Sequence, residues 1–143
     1  MVHIMNSKYC YHIVLEKNGI QKEEIGFWDT GNGLYTPWTR EPVCITEHKY
    51  VREFFSEEEY NKQELLLQLK DHVPTCREKI VWIPYHSIGK TQGILPSMYF
   101  DRLEIKTEKQ TIRYDHLLIA FCKERISRQK QYQLILHNSY IQE

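Results

Sequence analysis

Apolar and polar positions along this chain fall mostly into short runs with the period of strands, interrupted by one longer stretch with the period of a helix. Residues 9–15, YCYHIVL, are aromatic and β-branched, and after a polar break EEIGFW at 23–28 resumes the pattern. These two runs predict a hairpin turned at Asn18-Gly19, a dipeptide that supplies the positive φ angles a tight turn requires. The second run leads directly into Asp29-Thr30-Gly31. Beyond it, Leu34, Pro37, Pro42, Val43 and Ile45 predict a loop and a short strand, which the prolines confine to a sheet edge or touch only at its start.

The helical stretch follows. Ser56-Glu57-Glu58-Glu59 fits the S-x-x-E capping box, with Phe55 placed to staple against Tyr60, and predicts a helix over 57–70 closed by His72-Val73-Pro74. Leu65, Leu66, Leu67 and Leu69 make a band wider than one stripe, which predicts burial on more than one side. From 79 to 100 two apolar arms flank Gly89-Lys90-Thr91-Gln92-Gly93, predicting a second hairpin with a mobile, glycine-bounded tip. DRLEIK at 101–106 and QTIRYDHLLIAF at 110–121 predict further strands, 123–131 a short helix, and YQLILHNSYI at 132–141 a last strand. The expected fold is a single, mainly β domain over residues 1–143, with one or two helices.

Charge and cysteine usage narrow the function. Lys plus Arg equals Asp plus Glu at 19 each, so no net field draws in nucleic acid or an acidic membrane surface. The basic stretch Lys123, Arg125, Arg128, Lys130 is broken by Glu124 and Ser127 and reads as a solvated face. The longest apolar run, Leu117 to Cys122, is too short to span a bilayer, and no signal-peptide pattern opens the chain, so a soluble protein is expected. Cys10, Cys44, Cys76 and Cys122 lack paired spacing and read as reduced thiols of a cytoplasmic protein; the scattered histidines give no metal motif, and no cofactor is expected. Gly89-Lys90-Thr91 is not a phosphate loop, because Pro84 stands where the leading glycine is required. No feature around Cys122 would lower its pKa toward that of a nucleophile.

Asp-Thr-Gly carries the remaining chemistry. Two carboxyl groups a few ångströms apart cannot both ionise and share one proton, so one acts as base toward a water while the other acts as acid toward a peptide carbonyl. A glycine after Asp-Thr lets two copies of such a loop approach closely, and the threonine hydroxyl can bond the facing loop. The tripeptide is expected by chance with a probability of roughly 0.03 in a chain of average composition, and an Asx turn between two strands is its bland reading. Its place after one hairpin and before a glycine-tipped one makes Asp29 a candidate catalytic residue, with Thr30, Gly31 and Asn32 as loop support. Asn32 either contacts substrate or caps the turn. Asp71, Asp101 and Asp115 lie in the contexts DHV, DRL and DHL, so the second catalytic aspartate is expected from a second copy in a two-fold homodimer. Tyr85, Ser87, Ile88, Gly89 and Gly93 are candidate flap and substrate-binding residues. A rival reading is a catalytically silent dimeric module of the same fold that binds a peptide without cutting it.

The order of strands, D-T-G loop, flap-like hairpin and C-terminal strand resembles one subunit of a retroviral-type (retropepsin-like) aspartic peptidase. More narrowly, Asp29-Thr30-Gly31-Asn32 with Leu34-Tyr35, Pro37, Thr39 and Pro42-Val43, then Ile83-Pro84-Tyr85, Ser87-Ile88-Gly89 and Gly93-Ile94-Leu95, is similar to the peptidase domain of the SpoIIGA family; Leu136-His137 resembles a Leu-His near that family's C-terminus. The resemblance implies an aspartic endopeptidase that removes the N-terminal pro-segment of a sporulation sigma factor. It also implies an activating signalling protein and a place at the cytoplasmic face of a membrane, through a membrane region not found here. By the retroviral pattern a hydrophobic-hydrophobic-Gly segment passes behind the catalytic loop, and Leu118-Ile119-Ala120 is the expected counterpart.

Overall fold

A computed structural model describes residues 8–68, 79–85, 93–127, 129 and 131–142. Its first two strands, β1 (Cys10–Lys17) and β2 (Ile20–Trp28), form the expected hairpin, with Asn18 at φ 55° and Gly19 at φ 77° in the turn. The other described strands are β3 (Val43–Glu47), β4 (Val81–Tyr85), β5 (Gly93–Lys106), β6 (Thr111–Cys122) and β7 (Leu134–Leu136). They run in the order β1-β2-β7-β3-β6-β5, and a β1–β5 pairing closes the ring into a barrel; β4 extends it from β5. The fold is mainly β, as expected.

β5 is long because DRLEIK continues the arm of the second hairpin instead of starting a strand of its own. Its start, Gly93 to Ser97, pairs with β4 and its end, Arg102 to Lys106, with β1, while β6 runs along it from Ser97 to Lys106. β6 explains why the chain's longest apolar run lies where it does. Leu117, Ile119 and Phe121 enter the main core with Ile13, Leu15, Phe100 and Leu134. Leu118, Ala120 and Cys122 point the other way, into a second cluster with Val43, Ile83 and Leu95. A strand covered on both faces loses its polar alternation.

The helix α1 (Glu57–Gln68) starts as predicted, the Ser56 hydroxyl accepting the Glu59 N–H at 3.1 Å. Tyr60 stacks on His48 at 4.0 Å between centroids, and Phe55 sits edge-on to Phe100 and Phe121. Of the expected two-sided burial the described residues show one side: Tyr60, Gln63, Leu66 and Leu67 face inward and Leu65 is 46% exposed, while Leu69 lies outside the described residues. A 3₁₀ helix, His48–Phe54, joins β3 to α1 and was not foreseen. No helix forms among the described residues of 123–131. There the Ile126 N–H donates to the buried Glu47 carboxylate at 2.7 Å, so it is lost to any local ladder. β3 lies between β7 and β6, so of the two placements open to a strand beside prolines it takes the second, with Pro42 just before its start. The last run forms only a three-residue strand before a 3₁₀ turn, Asn138–Tyr140, capped by the His137 side chain.

Candidate active site

β2 ends in a strongly held residue. The Trp28 N–H donates to the Tyr9 carbonyl at 2.7 Å, and its indole N–H to the Asn138 carbonyl at 3.0 Å. The next residue is Asp29. Its Oδ1 accepts the Gly31 N–H at 2.8 Å, and the Asn32 N–H returns to the Asp29 carbonyl at 2.9 Å. The loop is therefore an Asx turn, and the turn leaves Oδ2 with no hydrogen-bond partner among the described residues. A Cβ at position 31 would lie a tight 3.3 Å from that Oδ1, so glycine eases the fold of the carboxylate back over the loop. Thr30 and Gly31 are exposed, while Asp29 is half-buried.

Asn32 is buried, and its polar atoms are bonded within the protein. Its amide nitrogen reaches the carbonyls of Val43 at 3.2 Å and Leu136 at 3.4 Å, its Oδ1 accepts the Leu34 N–H at 3.3 Å, and its carbonyl accepts the Asn138 N–H at 2.9 Å. These bonds tie the loop to β3 and β7.

The segment behind the loop is not the one expected. Leu118-Ile119-Ala120 lies in β6 and pairs with Val43-Cys44-Ile45, one strand away from the loop. Leu136-His137-Asn138 takes that place, because β7 runs parallel to β2 with Leu136 opposite Trp28. Asn138 was missed by reading the sequence, yet its side chain also reaches the Thr30 carbonyl at 3.4 Å. His137 is fully buried; its Nδ1 accepts the Ser139 N–H at 3.0 Å, its ring lies edge-on to Tyr35, and burial lowers its pKa. The only signal for this segment was the Leu136-His137 pair.

Gly31, Asn32, Gly33 and Leu34 line one side of a cavity of about 400 Å³ whose other walls are Ile45, Tyr85 and Leu95. The catalytic-loop candidates and the base of the second hairpin thus share one space. Tyr85 stands opposite Gly93 in the β4–β5 pairing, and its ring fills the space a Cβ at Gly93 would need. Ser87, Ile88 and Gly89 lie outside the described residues, as does Asp71.

Other reactive groups are committed elsewhere. Asp101 accepts the Asn18 N–H at 3.0 Å, and Asp115 pairs with Arg113 at 3.0 Å, so neither faces Asp29. Burial pushes the Cys44 and Cys122 thiols up to about 12, far from a nucleophilic thiolate. Burial first, and then the Asp29 charge, raise the pKa of Tyr132, whose hydroxyl donates to the Ile126 carbonyl at 2.8 Å. Among the described residues no group of three His, Cys, Asp or Glu could hold a metal, and no helix is long and apolar enough to cross a membrane.

Comparison with known proteins adds a family. Residues 1–140 match the family described as Sporulation factor SpoIIGA. The chain is 29% identical over 133 residues to a putative sporulation sigma factor-processing peptidase of Bacillus thuringiensis subsp. kurstaki, covering 87% of this chain and 81% of that protein. It is 26% identical over 119 residues to the sporulation sigma-E factor-processing peptidase of Priestia megaterium, covering 81% of this chain and 39% of that protein. The Bacillus subtilis protein of the same name is 28% identical over 118 residues, 78% of this chain and 38% of its own length. The chain therefore spans about two fifths of those two sigma-E peptidases. No solved structure matches.

Proposed function

We propose that this chain, which belongs to the SpoIIGA family of sporulation factors, is one subunit of a retropepsin-like aspartic endopeptidase that removes the N-terminal pro-segment of a sporulation sigma factor. The observation that carries the reading is the placing of Asp29: one carboxylate oxygen is fixed by the turn, the other takes no bond among the described residues, and the loop borders a cavity shared with the second hairpin. The names of the related proteins supply the substrate class.

The chemistry needs two such loops. In a two-fold pair the Asp29 carboxyls share one proton. The ionised one takes a proton from a bound water, whose oxygen attacks the scissile carbonyl while the protonated one gives its proton to the carbonyl oxygen; as the C–N bond breaks, the first passes the water's proton to the leaving amine and the second recovers its own from the gem-diol hydroxyl. The pair titrates as a unit. Asn32 and Asn138 hold the loop still through this exchange, which matters because a small misplacement of a catalytic group is costly. Leu34, Ile45, Tyr85 and Leu95 give the cleft an apolar wall along which an extended peptide lies. The whole of residues 1–143 serves as one peptidase domain, working at the cytoplasmic face of the membrane under an activating protein partner.

The test is incubation of the chain with a sigma factor carrying its pro-segment, beside Asp29→Ala and Asp29→Asn copies. One defined cut, located by N-terminal sequencing and absent from both variants, supports the reading; an undiminished cut by either variant overturns it.

A further inference from the structure

Residues 34–43 form a short arm rooted in the Asp29 loop. The Val43 N–H donates to the Leu34 carbonyl at 2.9 Å, Tyr35 and Pro42 pair across it, and the Thr36 N–H donates to the Glu41 carbonyl at 3.0 Å. The Asn32 amide holds the base through the Val43 carbonyl. At the tip the Arg40 N–H returns to the Thr36 carbonyl at 3.2 Å, with Arg40 in the left-handed region at φ 56° and its guanidinium 4.7 Å over the Tyr35 ring.

A second layer braces the arm. The buried Thr36 hydroxyl accepts the Glu41 N–H at 2.9 Å and meets the Thr39 hydroxyl at 2.6 Å, which donates to Glu41 Oε2 at 2.6 Å. The Tyr99 hydroxyl donates to the same carboxylate at 2.8 and 2.9 Å, fastening the arm to β5. All this order leaves Trp38 at the tip 93% exposed.

We propose that Trp38 is an interface residue of the two-fold homodimer, seated on a second copy of this chain; the inference rests on the two-chain reading above. A stable pair needs about 800 Å² of buried surface from each partner, which exposed Thr30 and Gly31 at the loop tip are too small to supply. Large exposed apolar side chains among the described residues are Ile20, Trp38 and Leu65. Ile20 starts β2, at the opposite end of that strand from Asp29, and Leu65 lies on the outer side of α1. Trp38 is the one carried by residues bonded to the Asp29 loop. A tryptophan buries roughly 150–250 Å², so the arm alone meets about a quarter of each partner's share. An arm already ordered also loses little conformational freedom on docking.

Sedimentation equilibrium of the native chain and of Trp38→Ser, each with its cleavage rate across the same concentrations, tests this. The substitution removes an exposed side chain and spares the fold. The expected result is a dimer dissociation constant raised about tenfold or more, as for a central interface tryptophan, with cleavage lost at low concentration and restored at high. A native dimer whose constant is unchanged in Trp38→Ser overturns the inference alone. Weakened cleavage with an unchanged constant also overturns it, assigning Trp38 to substrate. A native chain that stays monomeric while cleaving overturns both the inference and the two-chain reading, and one that stays monomeric without cleaving overturns the inference.

Discussion

The ring of Tyr85 lies where a side chain on Gly93 would have to be, and the two residues face each other across the base of the β4–β5 hairpin. Gly93 thus leaves room for the ring of an aromatic neighbour as that ring is placed; its backbone is ordinary strand. The consequence reaches the cavity, since Tyr85 is one of its walls.

Gly93→Ala is therefore expected to displace the half-buried Tyr85 ring, at a cost of at most about 1 kcal/mol, since the clash is with the far end of a side chain and not with backbone or a filled core. Thermal unfolding measures the cost, and peptide cleavage the effect on the cleft, where KM should rise more than kcat falls. An Ala variant with native stability and native KM would contradict the packing described.

Asn32 makes a second prediction. Removing its amide in Asn32→Ala leaves the buried carbonyls of Val43 and Leu136 without this donor, at about 1–3 kcal/mol. Asn32→Asp should cost more, because it turns a carboxylate oxygen toward those same carbonyls. Urea unfolding ranks the three chains, and an Asp variant as stable as the native chain would show that the amide is not the pin.

Buried Glu24 predicts how stability depends on pH. Its side chain is only 4% exposed, with Lys22 at 3.2 Å, and burial raises its pKa from the usual 4.5 to about 7 in spite of the lysine. Between those values the folded state binds the proton that the unfolded state has released, so stability falls as pH rises from 4.5 to 7, by at most about 3 kcal/mol. His48 and His137, lowered by burial, act in the opposite sense, losing stability as pH falls below 6.5. The Glu24 part is isolated by subtraction: the stability difference between the native chain and Glu24→Gln should change across that window and flatten above it. A difference independent of pH would rule it out.

The two buried thiols, Cys44 and Cys122, should be inert. With Cys44 and Cys122 pushed up to about 12, neither should react with iodoacetamide in the folded chain at pH 8, whereas both should react once it is unfolded. Mass spectrometry of the alkylated cysteines decides it. Fast folded-state labelling of either one would place a thiolate in reach of substrate.

Local chemistry makes much of this fold legible in the sequence. Asn18-Gly19 announces its hairpin, Ser56 its helix, and alternation the strands of the barrel. What is not legible depends on contacts far apart along the chain. Leu65 belongs to an apolar triplet, but only the position of α1 on the barrel decides that Leu65 faces outward. Ile126 sits in a helix-like stretch and gives its N–H to Glu47, a partner 79 residues away. At the site, Asp29 stands out through its tripeptide, whereas the choice between Leu118-Ile119-Ala120 and Leu136-His137-Asn138 turns on a parallel pairing between β2 and β7 that no local pattern encodes. Asn32 is visible as a position, but its job is not, since two of its acceptors come from other strands.

That Asp29 supplies half of a site completed by Asp29 of another copy is tested most directly by mixing subunits. A fixed amount of the native chain is titrated with Asp29→Asn, a near-isosteric change that preserves the turn, and cleavage is followed after exchange. If two aspartates from two chains form each site, mixed pairs are inactive, and an equal amount of the variant should cut the activity per native chain to about half, with further loss as more is added. Activity unmoved by a large excess of the variant, under conditions where sedimentation shows the chains pairing, would mean that each chain works alone and would contradict the account.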